Sequence, residues 1–166
     1  MAENSFRLRN AVPEDAQAIA DLLAELEHPA SAADVPARIQ AILAEGGAVL
    51  LAVDEDGTRL GLMSLARHSA LHTPGPVGYI TALVTAGAAR RRGVGRALVE
   101  AARVWAIHHC CVRMSVTSAN HRSDAHAFYP AMGMPYTGKR FSTSLDSPRE
   151  TEGEDKPSGA PQWTPQ

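Results

Sequence analysis

The sequence has few cysteines, few aromatic residues, little net charge and no long apolar run. Its two cysteines, Cys110 and Cys111, are adjacent, so they cannot join distant segments and the fold does not depend on disulfides. A net charge of −2 with 5% aromatic residues provides neither the basic surface nor the aromatic interleaving of a nucleic-acid-binding protein. No apolar run approaches the ~20 residues of a membrane span, and residues 1–4 lack signal-peptide features. We therefore expect a cytoplasmic protein with no membrane or nucleic-acid partner.

The chain length is that of one domain followed by a tail of different composition. The 166 residues, 45% of them apolar, suffice for one core, which we place over residues 1–145. Residues 146–166 contain five acids, two bases and four prolines, and we expect this acidic segment to be disordered. The body then contains 13 acids and 14 bases, which is close to neutrality.

Apolar spacing predicts a mixed α/β domain. Strands are predicted over 5–12, 48–53, 59–67, 77–85, 110–118 and 138–145. Helices are predicted from Pro13 to the His28-Pro29 step, over 32–45, from Val94 to about His108, and over 123–132. The central strand, helix and strand should form a parallel unit with a right-handed crossover.

The stretch Arg90–Arg96 holds four arginines and two glycines between a buried strand and a helix N-terminus. Cations are unfavourable there by about 0.3–1 kcal/mol each, unless an anion completes the site. Glycine lets the backbone approach closely, so the free N–H groups can surround a pyrophosphate. A Walker loop would require Gly-Lys-Ser/Thr where Arg96-Ala97 stands, and a dinucleotide fingerprint would require a third glycine. A solvated arginine face on an ordinary turn is the remaining alternative.

Two motifs together resemble the GNAT superfamily of acetyl-CoA-dependent N-acetyltransferases. The first is the Arg-x-x-Gly-x-Gly pattern of Arg90, Gly93 and Gly95. The second is Asn120 followed by an Ala-x-x-Phe-Tyr segment that ends at Tyr129, and then by a glycine. The resemblance covers about residues 6–145. It implies a central mixed, mostly antiparallel sheet with a parallel, splayed strand pair and with helices on both faces.

The resemblance also implies where acetyl-CoA would bind. The wedge between the central strand and the next would hold it, opened by a β-bulge, with an N–H near Leu83 or Val84 facing the oxyanion. Tyr129 would be the general acid that protonates the departing thiolate. Asn120 would bind the pantetheine, or merely cap the following helix. The coenzyme-binding residues implied in this way are Leu83, Val84, Thr85, Arg90, Arg91, Arg92, Gly93, Val94, Gly95, Arg96 and Asn120.

The sequence departs from many relatives at the general base. Thr81 stands where they often carry a glutamate, and it cannot take a proton at neutral pH. Water or a histidine could act instead, although a plain surface histidine is the commoner role for any one of them. The candidates are His68, His72, His121 and His126. The run from His108 to Cys111 cannot converge on one ion because its residues are consecutive, so we assign no metal.

The resemblance implies transfer of an acetyl group from acetyl-CoA to a primary amine by direct attack. The alternative is a non-catalytic acyl-CoA-binding sensor, which the missing strand carboxylate supports. The resemblance places the acceptor near Glu27-His28-Pro29 and the 69–76 loop, with Glu27 or Asp34 available to attract an ammonium group. Homodimers are common in the family, but no residues here establish one, and the acceptor's identity stays open.

Overall fold

The computed structural model describes residues 5–145, and the chain divides into two compact units at Tyr136. Every helix and strand of the described residues lies in the first unit. In the second unit, residues 137–145 form neither a helix nor a strand, so the strand predicted over 138–145 is wrong. Phe141, its expected apolar anchor, is exposed, because the basic and hydroxyl residues around it offer no alternating apolar face. The predicted disordered tail, 146–166, lies outside the described residues.

The first unit contains five strands and four α-helices within residues 5–145. They are β1 (Phe6–Asn10), α1 (Ala16–Glu25), α2 (Val35–Ala44), β2 (Ala48–Asp54), β3 (Arg59–His68), β4 (Val77–Thr85), α3 (Val94–His108), β5 (Arg113–Val116) and α4 (Ser123–Ala131). Short 3₁₀ turns precede α1 and follow β4. The predicted element order is confirmed up to α4, and β4 has the predicted bounds. No helix in this part of the chain is long and apolar enough to span a membrane.

The sheet has the order β1-β2-β3-β4-β5 and separates two apolar clusters. Neighbouring strands are antiparallel except for the parallel pair β4–β5. Successive residues of β2, such as Leu51 and Ala52, enter opposite clusters because successive side chains of a strand point to opposite faces. Helices α1 and α2 pack on one cluster, and α3 packs on the other. The predicted mixed, mostly antiparallel sheet with helices on both faces is confirmed.

A β-bulge interrupts β4 at Thr81. Ser64 of β3 pairs with Ala82, and the next residue, Leu65, pairs with Ile80, so Thr81 has no partner on β3. The extra residue reverses the alternation: Ile80 enters the cluster with α3, whereas Val84 enters the cluster with α1 and α2. The pairing of β4 with β5 runs only from Val77 to Ile80. The sheet therefore opens beyond Ile80, as the resemblance implies.

A buried carboxylate anchors the start of α1 to the sheet. Asp15 is fully buried and accepts hydrogen bonds from Arg9 (both at 2.7 Å), from Arg59 (2.9 and 2.7 Å) and from the Val12 N–H (2.9 Å). The hydrogen bonds from Arg9 are the largest of the causes that hold the pKa of Asp15 well below its usual range. The first turn of chain before α1 is thus fixed to β1 and β3, and α1 is positioned over the sheet.

Candidate functional site

The loop between β4 and α3 presents backbone N–H groups at a helix N-terminus. Arg91 (φ 62°) and Gly93 (φ 82°) are both left-handed, and Gly93 is the N-cap of α3. The first helical bond back to the cap is donated by the Ala97 N–H to the Gly93 carbonyl at 3.0 Å. The N–H groups of the first turn before it have no partner inside the helix. Left-handed residues in such a turn aim successive N–H groups into a concavity that suits an anion.

The four arginines of this loop do not behave alike. Arg92 turns away from α3 and donates to Asp54 Oδ2 at 3.0 Å and to Ser5 Oγ at 3.2 Å. Arg90, Arg91 and Arg96 are exposed, and within residues 5–145 their side chains form no ion pair or hydrogen bond. Three guanidinium groups thus stay available beside the N-terminus of α3, while the fourth attaches the loop to the end of β2.

Three elements meet where the sheet opens. A Cβ placed on Gly95, at the start of α3, would lie 3.5 Å from Thr85 Oγ1 of β4 and 3.5 Å from Phe128 Cζ of α4. Phe128 contacts Tyr129 edge to face, with ring centroids 5.3 Å apart. The predicted anion cradle and the predicted acid therefore lie on neighbouring elements. From Ala82 to Thr85, β4 pairs with β3 alone, so its other backbone edge is open.

Tyr129 is half-buried on α4, and burial raises its pKa to about 12, against a smaller opposing effect of the Arg122 charge. Its hydroxyl is therefore protonated throughout the physiological range and can donate a proton or a hydrogen bond. Asn120 is exposed in the turn before α4. The N-cap of α4 is Arg122, and no side chain caps the helix, so the alternative of Asn120 as a cap is wrong.

Beside the opening, β4 carries hydroxyl groups and no carboxylate. Thr81 Oγ1 lies 2.5 Å from Ser64 Oγ, so its hydroxyl is already engaged across the bulge. Tyr79 Oη lies 2.7 Å from Thr117 Oγ1, which joins β4 to the segment that leaves β5. Both hydroxyl groups are thus already engaged in hydrogen bonds. β4 therefore presents no carboxylate that could act as a base beside the opening.

Sequence reasoning missed a polar cluster that spans the mouth of the opening. Glu25 Oε2 accepts the Gly87 N–H at 2.9 Å, just beyond β4. Glu27 Oε2 lies 2.7 Å from His121 Nε2 and 3.9 Å from Arg122 Nε, both beyond β5. Hydrogen bonding from His121 is the main cause that lowers the pKa of Glu27. No local pattern could reveal a contact between residues 94 positions apart.

The two loops expected to form the acceptor site lie at opposite ends of β4. The 69–76 loop joins His68 to Val77, which pair at the start of β4, whereas Glu25 reaches its far end at Gly87. At 3.3 Å per residue the ends of the strand are about 26 Å apart. The structure thus brings the Glu27 loop, and not the 69–76 loop, to the open end of the sheet. In residues 5–145, no three His, Cys, Asp or Glu residues are grouped to hold a metal ion.

Residues 16–134 match the model of the Acetyltransferase (GNAT) family, and the chain belongs to this family. No curated protein sequence matches the chain significantly.

Solved structures of acetyltransferases share the fold. An acetyltransferase from Trypanosoma brucei is 21% identical with a TM-score of 0.73, covering 84% of this chain and 99% of its own. Glucosamine-6-phosphate N-acetyltransferase from Arabidopsis thaliana is 19% identical with a TM-score of 0.73, covering 85% and 99%. An aminoglycoside 6'-N-acetyltransferase from Acinetobacter haemolyticus is 24% identical with a TM-score of 0.69, covering 84% and 99%. At these identities the likeness shows the fold alone.

Proposed function

We propose that this protein transfers the acetyl group of acetyl-CoA to a primary amine by direct attack. The observation that carries the proposal is the parting of β4 and β5 after Ile80, between an anion cradle and the half-buried hydroxyl of Tyr129. The structurally similar glucosamine-6-phosphate and aminoglycoside N-acetyltransferases acetylate amino groups, which supports an amine acceptor.

In this proposal the pyrophosphate of acetyl-CoA lies against the N–H groups of the loop and the first turn of α3. Arg90, Arg91 and Arg96 supply charge, and the engaged side chain of Arg92 contributes mainly by holding the loop. The pantetheine arm lies along the open edge of β4 and pairs with its backbone like an added strand. The residues proposed to contact the coenzyme are Leu83, Val84, Thr85, Arg90, Arg91, Arg92, Gly93, Val94, Gly95, Arg96 and Asn120.

The proposed chemistry needs a free amine and a protonated acid. The amine nitrogen attacks the thioester carbon, and an N–H near Leu83 or Val84 stabilises the oxyanion that forms. Collapse of the intermediate breaks the C–S bond, and the sulfur takes the proton of the Tyr129 hydroxyl. The second proton of the attacking nitrogen then restores that hydroxyl. The products are the N-acetylated amine and free CoA.

The raised pKa of Tyr129 constrains the timing of this transfer. A phenol with a pKa of about 12 protonates a thiolate with a pKa of ~8.5 at a cost of about 5 kcal/mol if the steps are separate. The apolar surroundings that raise the pKa of the phenol also raise that of a buried thiol. The difference between the two pKa values is therefore smaller. Transfer of a proton from the attacking nitrogen to the phenol oxygen in the same step offsets the remaining free-energy cost. We therefore expect proton transfer to accompany C–S cleavage.

One observation favours a second function, a non-catalytic acyl-CoA-binding module. β4 carries no carboxylate, and the Thr81 hydroxyl is engaged with Ser64. The two functions differ in turnover rather than in coenzyme binding, so a binding measurement alone does not separate them.

The deciding experiment is calorimetric titration with acetyl-CoA, CoA and dephospho-CoA, followed by thiol release with a panel of amines. The panel contains glucosamine 6-phosphate, an aminoglycoside, spermidine and a lysine peptide, with an amine-free control for hydrolysis. Binding with amine-dependent thiol release is expected. Binding without release across the panel would favour the sensor, and no binding by the folded protein would refute both functions.

A further inference from the structure

We infer that His121, held by Glu27, is the base that accepts the proton of the acceptor's ammonium group. The inference rests on the proposed function and names the group that the sequence left open. An aliphatic amine is mostly protonated at neutral pH and cannot attack until it loses a proton. An imidazole is suited to that task because it titrates close to neutral pH.

The position of the Glu27–His121 pair follows from contacts at both diverging strands. Glu25, two residues before Glu27, is bonded to Gly87, two residues past the end of β4. His121 is five residues past the end of β5. The pair therefore spans the mouth of the opening between the two strands, where an acceptor would enter.

The same segment is linked to the proposed acid through α4. Arg122 is the N-cap of α4, and Tyr129 lies seven residues further along the chain, about 10 Å away along the helix axis. Long side chains of a helix lean toward its N-terminus, which for α4 is the end next to His121. The charge of Arg122 lowers the pKa of Tyr129, so the two groups act on each other electrostatically.

The ion pair sets which imidazole nitrogen is available. His121 Nε2 lies 2.7 Å from Glu27 Oε2, so in the neutral ring Nε2 carries the hydrogen and Nδ1 is the acceptor. Glu27 has a left-handed backbone (φ 66°), and its carboxylate is also 3.9 Å from Arg122 Nε. A carboxylate on one nitrogen and a free second nitrogen form the arrangement in which a histidine is oriented as a base.

The other charged groups at this place are less suited to the role. Hydrogen bonding from His121 and the charges of Arg122 and His28 lower the pKa of Glu27, which makes its carboxylate a poorer base. Glu25 is engaged with the Gly87 N–H. His126 is exposed on α4 and has no hydrogen-bond or ion-pair partner within residues 5–145 to orient it.

The step is balanced as a simple proton transfer. The ammonium gives one proton to Nδ1 of His121, which becomes an imidazolium beside the Glu27 carboxylate. The neutral amine then attacks the thioester, and the imidazolium releases its proton to water before the next turnover. No oxidant, metal or further reactant is required.

The test is the pH dependence of kcat/KM in His121→Asn with an amine that the wild type acetylates. A general base contributes about 10²–10⁴-fold, so we expect a loss of about 100-fold or more near pH 7. The defect should shrink to a few-fold near the pKa of the amine, where the substrate loses its proton unaided. A structural role would give the same defect at every pH. Glu27→Gln should show a smaller loss with the same pH trend.

Two matched variants make the assignment specific. His108→Asn, at the far end of α3, should match the wild type at every pH. His126→Asn tests the competing histidine. A pH-dependent loss of kcat/KM in His126→Asn instead of His121→Asn would overturn the inference. An unchanged profile or a pH-independent defect in His121→Asn would also overturn it. Absence of turnover by the wild type would instead refute the transferase function itself.

Discussion

The cradle can be tested by comparing two glycines that both have a positive φ. Gly93 has a φ of 82° and Gly57, in the β2–β3 turn, has a φ of 88°. A Cβ on Gly57 would meet nothing within 4 Å. A valine in this region strains the backbone by about 1–3 kcal/mol, because its Cβ crowds the peptide. Gly57→Val therefore serves as the control for backbone strain outside the proposed cradle.

Gly57→Val and Gly93→Val should lose similar amounts of stability, but only Gly93→Val should lose affinity for acetyl-CoA. For a chain of this size, 1 kcal/mol lowers Tm by about 2–4 °C, so both variants should melt about 2–12 °C below the wild type. If the backbone of Gly93→Val relaxes at the substituted position, the N–H groups near it turn away from the coenzyme. Losing one hydrogen bond to a charged group, at about 1.5–3 kcal/mol, raises Kd by about 10- to 150-fold.

The assay is calorimetric titration of acetyl-CoA into both folded variants, with melting followed by circular dichroism. Gly57→Val should bind like the wild type, and Gly93→Val should bind at least tenfold more weakly. Equal Kd values for the two variants at equal Tm would refute the anion cradle, because backbone strain would then have no effect on the ligand.

Three further predictions concern the acid, the loop and the buried carboxylate. Tyr129→Phe should lower kcat by about 10-fold or more with little change in the Kd of acetyl-CoA, and an unchanged kcat would exclude its role. Arg91→Ala should weaken acetyl-CoA binding more than Arg92→Ala does, because the Arg92 side chain is engaged with Asp54, and the reverse order in titration would contradict this. Asp15→Asn should lower the free energy of unfolding by about 2–4 kcal/mol near pH 7, somewhat below a fully buried pair because its arginines are partly exposed. Since the folded pKa of Asp15 is lowered, its stabilisation is present above the unfolded pKa of ~3.9 and fades in acid. Urea unfolding should thus show the wild-type advantage shrinking below about pH 4.

The elements that could be predicted from the sequence are those with a strong local period. The strand over 77–85 and the helix from Val94 have continuous apolar patterns, and both are present. The strand predicted over 138–145 had one large apolar anchor, Phe141, and short segments of that kind are decided by tertiary contacts. The bulge came from the resemblance rather than from composition, since one extra residue leaves no local signal.

The residues of the candidate site could be predicted only where they belong to short local motifs. The glycines of the cradle and the tyrosine of α4 belong to short motifs, so they could be named in advance. Side-chain pairings across the sheet could not, because Arg92 with Asp54 and Glu27 with His121 join segments 38 and 94 residues apart. Such contacts depend on the register of the strands and the packing of the helices, which local patterns do not determine.

The bulge at Thr81 makes the opening and the core inseparable. Deleting this one residue would restore a regular strand, but it would also exchange the faces of every residue from Ala82 to Thr85. Val84 would leave the α1–α2 cluster, and its neighbours would take its place with side chains of other sizes. Deletion of Thr81 would therefore not leave the packing of the two core clusters intact. The residue that interrupts the pairing of β4 with β3 thus also determines which side chains beyond it fill each cluster of the core.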